Sequence, residues 1–105
     1  ASIVARGYMS AGGSMLAQSA GPGWLAVGDA AFATDPIAAR GLLHALDTGS
    51  VAAAAVEMSL CGSDNALADY AAFVADLAAQ YRDGWRYCYG LERRFPESPF
   101  WRRRQ

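Results

Sequence analysis

Apolar and polar positions change rhythm near residue 37. Before it, short apolar runs are separated by glycines and small residues; after it, large apolar residues recur every three or four positions. Ser2 to Tyr8 reads as a short strand that starts without a capping, turn or targeting signal, as though in mid-fold. Residues 10–23, SAGGSMLAQSAGPG, read as a turn-rich loop. Trp24 to Val27 is a continuous apolar run stopped by Gly28, which predicts a strand buried on both faces.

From about Ala38 to Leu60 the spacing of Leu42, Leu46, Gly49, Ala53, Val56 and Leu60 predicts a helix with that side turned to the core, and Asp47 and Glu57 elsewhere on the circumference. Gly49 is read as a close-packing position. CGSD at 61–64 ends this helix, and Ser63 or Asp64 can cap the next. The second helix is expected from about 64 to 91, burying Leu67, Tyr70, Val74, Leu77, Tyr81, Trp85 and Cys88, an aromatic stripe suited to packing against a neighbouring helix. After a break from Arg93, SPFWRRRQ begins a short last helix with Ser98 as cap and Pro99 at its first position. There is no internal repeat and no sign of a second domain.

Composition adds two points. The 105 residues are 53% hydrophobic with a mean hydropathy of +0.07, enough apolar material for a small core. All nine basic residues are arginine, so lysine-based chemistry is excluded within the chain. The net charge of −1 conceals an uneven distribution: acids dominate residues 28–80, and seven arginines crowd 82–105. Acids and bulky aromatics interrupt that basic end, which argues against nucleic acid. No apolar run approaches the length of a membrane span, and Cys61 and Cys88 stand apart, without metal or disulfide spacing. A cytoplasmic, reduced setting is the expectation.

Several site patterns fail on context. GPGWLA at 21–26 spells G-x-G-x-x-A but precedes a strand instead of following one, so it is a turn. His44 and Asp47 lack a nucleophile elbow, and His44 reads as a packed or solvated side chain. Asp29 and Asp35 have no accompanying metal ligands. What remains is an ordered series: strand, Gly28-Asp29, Asp35-Pro36, Gly41, helix. A carboxylate at a strand end accepts hydrogen bonds from hydroxyls, and the helix start after Gly41 offers N–H groups and a dipole that favours negative charge. The ligand wanted is polyhydroxylated at one end and becomes anionic at the other.

GDAAFATDPIAARG, Gly28 to Gly41, resembles the second FAD-binding motif of flavin-dependent monooxygenases of the hydroxybenzoate hydroxylase type, most closely the tryptophan-halogenase-like branch. The ending YCYGLERRFPESPFWRRR, Tyr87 to Arg104, is similar to that branch's ending. The resemblance implies an α/β fold: a partial, Rossmann-like FAD-binding domain, mostly helical here, with one or two short strands toward its beginning. In that reading residues 1–105 are a single partial domain, with strand, loop and strand over 1–37 and helices over 38–105. Its sheet partners and the G-x-G-x-x-G unit for the ADP half of FAD belong to an amino-terminal part of the same enzyme.

Carried over by position, Asp29 binds the ribityl hydroxyls and Gly28 gives room beside it. Pro36 lies near the isoalloxazine ring, and Gly41 with Leu42 faces the pyrimidine edge. No catalytic residue is assigned. The implied activity is oxidation of a small aromatic or amino-acid-like substrate through a flavin hydroperoxide, with reduced flavin or NAD(P)H as electron supply. Ala38 and Ala39 depart from the small polar residues common in the branch, Leu42 replaces a β-branched one, and the halogenases' catalytic lysine is absent. The alternative is a non-catalytic helical hairpin that docks partners through its arginine-rich end.

Overall fold

A computed structural model describes residues 2, 7 and 12–104. The strand expected at Ser2–Tyr8 lies outside the described residues. The described chain mixes helices with four two-residue strands: β1 (Ser14–Met15), β2 (Ala20–Gly21), β3 (Trp24–Leu25), β4 (Phe32–Ala33), then α1 (Gly41–Leu60), α2 (Ala66–Gly90) and α3 (Pro99–Arg102). No doubly wound parallel sheet is present among these residues. β1 pairs antiparallel with β4, and β2 with β3.

The run Trp24–Val27 departs from expectation. It is not a strand buried on both faces but the second arm of a small hairpin, with Trp24 47% exposed and Val27 41%. The supposed loop supplies its partner, because Pro22-Gly23 makes a reversal and Gly23 takes φ 77°, the positive value that the Pro-Gly pair of a type II turn requires. The hairpin's far end is tied down: the Ala26 N–H donates to the Ser19 carbonyl at 2.8 Å, and the Tyr70 hydroxyl of α2 donates to the Ala26 carbonyl at 2.6 Å.

α1 starts at Gly41, three residues later than the periodicity suggests. Pro36 opens a 3-10 turn through Ala38, and Ala39 at φ 51° is left-handed, which no α-helix can run through. The buried side of α1 also differs from the expected one. His44, Thr48, Ala52 and Ala55 face inward, while Leu42, Leu46 and Leu60 are 85%, 72% and 84% exposed. Small residues let α1 approach its neighbours closely, and the large leucines are left on the outside.

α2 follows the turn at Gly62 and runs close to its expected bounds. Tyr70 and Val74 are fully buried, with Leu67, Leu77, Tyr81 and Trp85 half-buried along the same stripe; Cys88 is exposed instead. The core joins Ala52 and Ala55 of α1 to Tyr70, Val74 and Ala78 of α2, with Ala20, Ala31 and Phe32 closing it from the strand side. Neither Ser63 nor Asp64 caps α2, since Asn65 precedes its first residue without a side-chain capping bond. Ser98 does precede α3, with Pro99 at the first helical position, but its side chain makes no capping bond. Trp101 of α3 rests against Tyr89, ring centroids 5.9 Å apart.

Candidate functional site

The 28–41 stretch is held at both ends by side chains from the helices. Gly28 is buried at φ 56°, and its N–H donates to the Thr48 hydroxyl of α1 at 2.9 Å; that hydroxyl in turn donates to the His44 carbonyl at 2.7 Å. A side chain at position 28 would meet Ala45, with its Cβ 3.4 Å from the Ala45 Cβ. Gly28 is therefore seated on α1 about one helical turn past Gly41. The space where a side chain at position 28 would stand is taken up by the helix.

Seating Gly28 this way turns its neighbour outward. Asp29 is exposed, and its carboxylate makes no hydrogen bond or ion pair among the described residues. The start of α1 lies about one turn before Ala45, the residue that Gly28 meets. No side chain caps it, and a Cβ on Gly41 would have open space around it. Its first N–H groups have no intrahelical acceptors, so they are free to meet an oxygen from outside. Leu42 is exposed beside them. Gly28 thus sits against the first turns of α1, with Asp29 next to it in the chain and Gly41 and Leu42 opening the helix.

Pro36 is placed by a second device. The N–H of Asp35 donates to the Tyr81 hydroxyl at 2.5 Å, and the Tyr89 hydroxyl donates to Asp35 Oδ2 at 2.8 Å. The other carboxylate oxygen accepts from the Ile37 N–H at 3.1 Å, wrapping the acid around its own turn. That bond, helped by Tyr89 and the Arg104 charge, holds the Asp35 carboxyl below its ordinary value. Burial, together with the bond to Asp35, pushes the Tyr89 phenol up.

Thr48, Tyr81 and Tyr89 are the residues that sequence reasoning passed over. They lie 20, 46 and 54 positions from their partners. One signal was available: Tyr81 and Tyr89 are eight residues apart, two helical turns and a little more, and so share a side of α2.

A groove of about 680 Å3 opens beside the turn, with Ile37 and Arg40 on one side and Trp85 and Trp101 on the other. His44 reaches its floor, 5% exposed and packed on Phe32 with ring centroids 5.0 Å apart. Its Nδ1 is sealed from solvent without a hydrogen-bond partner. Among the described residues no cluster of acids, histidines and cysteines could hold a metal ion. No helix there is long and apolar enough to cross a membrane.

The chain matches no protein-family model, no curated protein and no solved structure.

Proposed function

We propose that this chain is the flavin-contacting part of an FAD-dependent oxidoreductase, of the monooxygenase or halogenase-like kind. The observation that carries the reading is an unengaged carboxylate, Asp29, next to Gly28, which is seated on the first turns of α1, a helix whose start is uncapped. A flavin asks for this pairing. Its ribityl chain offers hydroxyl donors, and its pyrimidine edge gathers negative charge on reduction, which the helix start favours. The residues present fit the group, because Asp29 has unoccupied acceptors and Gly41 leaves the helix end open.

FAD, when bound, supplies the two-electron chemistry that oxidises a small aromatic or amino-acid-like substrate. The chain's own residues bind and orient. Asp29 accepts from the ribityl hydroxyls, the N–H groups at Gly41 and Leu42 face the pyrimidine edge, and Asp35 with its two tyrosines sets Pro36 against the ring. The groove floored by His44 and walled by Trp85 and Trp101 receives the aromatic substrate. The ADP half is held by an amino-terminal part of the same enzyme, which rests on the exposed leucines of α1.

That same leucine surface favours a second reading, a helical hairpin that docks another protein without any cofactor. Flavin binding separates the two. In the enzyme, Asp29→Ala lowers FAD affinity at least about tenfold, since bonds to a charged acceptor are worth about 1.5–3 kcal/mol each. Gly41→Leu blocks the helix end and lowers the flavin reduction potential in protein that still holds FAD. Normal FAD affinity and normal potential in both folded variants would overturn the flavin reading.

A further inference from the structure

On the other side of the Tyr81 and Trp85 side chains lies a second groove, of about 660 Å3, and its lining is basic. Arg82 of α2 and Arg103 and Arg104 at the end of α3 line it, with Tyr81 and Trp85 as aromatic wall. Arg103 donates Nε to the Pro99 carbonyl at 3.1 Å, and Arg104 donates Nη1 to the Phe100 carbonyl at 3.2 Å. Arg104 is also laid over the Phe100 ring, 3.9 Å from its centroid. These contacts fix the two guanidinium groups without neutralising them.

Beyond the Asp35 charge near Arg104, little else neutralises them. The ion pairs among the described residues are Arg94 with Glu92 and Arg102 with Glu97, and neither involves the groove. Asp35 is the one carboxylate in the described lining, and its oxygens are engaged by Ile37 and Tyr89. Three guanidinium groups therefore face one occupied carboxylate, in a chain whose net charge is −1. Positive charge focused in a cleft of an otherwise acidic molecule attracts small anions. It does not form the long basic track that a nucleic-acid strand follows, because Arg94 and Arg102 along the tail are paired.

We propose that this groove binds a nucleoside diphosphate, its phosphates on Arg82, Arg103 and Arg104 and its base along Tyr81 and Trp85. Guanidinium forks match phosphate oxygens two at a time, and aromatic side chains provide a surface for a flat base. The volume is in the range of small-molecule sites. The inference is independent of Asp29 and the start of α1 and stands if these bind no flavin.

The test is calorimetric titration of the protein with ADP at low and physiological salt, with adenosine as the uncharged comparison. ADP binds saturably at one site, more weakly as salt rises, and adenosine binds at least about tenfold less well. Arg82→Gln lowers ADP affinity at least about tenfold, whereas Arg86→Gln, exposed on α2 outside the groove, leaves it unchanged. Helical circular dichroism checks both variants, and ADP binding by the unaltered protein decides the matter if Arg82→Gln fails to fold. Absence of saturable ADP binding overturns the proposal. So does equal weakening by the two variants, equal affinity for adenosine, or displacement of ADP by single-stranded oligonucleotides with affinity that grows with their length.

Discussion

The two ends of the 28–41 stretch are anchored by opposite means. At Gly28 a buried backbone N–H meets a buried hydroxyl, and the backbone takes a conformation that only glycine adopts without strain. At Asp35 the backbone N–H meets the Tyr81 hydroxyl, and the half-buried carboxylate meets the Tyr89 phenol, in reach of an arginine. The first anchor contains no group that titrates between acid and alkaline pH; the second consists of such groups. Gly28 consequently fixes where the site is, and Asp35 sets the attitude of the Pro36 turn under conditions that change its charge.

The contrast can be broken most forcefully at position 28. Gly28→Val forces a β-branched residue to positive φ against Ala45 and costs about 3 kcal/mol, visible as a lower denaturation midpoint. Thr48→Val, nearly isosteric, leaves the Gly28 N–H buried without an acceptor; about 2 kcal/mol is lost in the same assay. Tyr89→Phe removes one partly exposed bond, about 1 kcal/mol near neutral pH.

The pH dependence separates the ends. A phenol whose folded value is raised contributes below the ordinary tyrosine value and loses its contribution as pH rises through the raised one. A carboxyl whose folded value is lowered contributes above the ordinary aspartate value and loses its contribution as pH falls through the lowered one. The gap between parent and Tyr89→Phe therefore holds from about pH 5 to about pH 9 and narrows beyond both limits, while the Thr48→Val gap stays level. A Thr48→Val gap that narrowed in parallel would erase the distinction. The smallest effect is at Ala39, where Ala39→Gly relieves left-handed strain and stabilises by less than about 1 kcal/mol.

The sequence made the helices legible and misassigned what one of them buries. On α2 the core residues Tyr70 and Val74 belong to the same large-residue stripe as Leu67, Leu77 and Tyr81, so its spacing identified the buried side. On α1 the contact runs through Thr48, Ala52 and Ala55, residues that weigh little in a hydrophobic pattern, and the leucines misled for that reason. The hairpin at 20–25 was hidden because two-residue strands are too short to show alternation, although Pro22-Gly23 announced the turn. Local order also exposed the Gly28-Asp29, Asp35-Pro36, Gly41 series. Its supports could not be read the same way, since Thr48, Tyr81 and Tyr89 reach it only through the folded contact of helix and turn.

The claim that Asp29 and the start of α1 meet a flavin is tested most directly by following backbone amide resonances of the protein during titration with FMN, which carries the ring, the ribityl chain and one phosphate. The account predicts saturable shifts at Asp29, Gly41, Leu42 and Leu43 together, with Asp29→Ala weakening all four. Shifts confined to Arg82, Arg103 and Arg104, or no saturable shifts at the four amides, would contradict it.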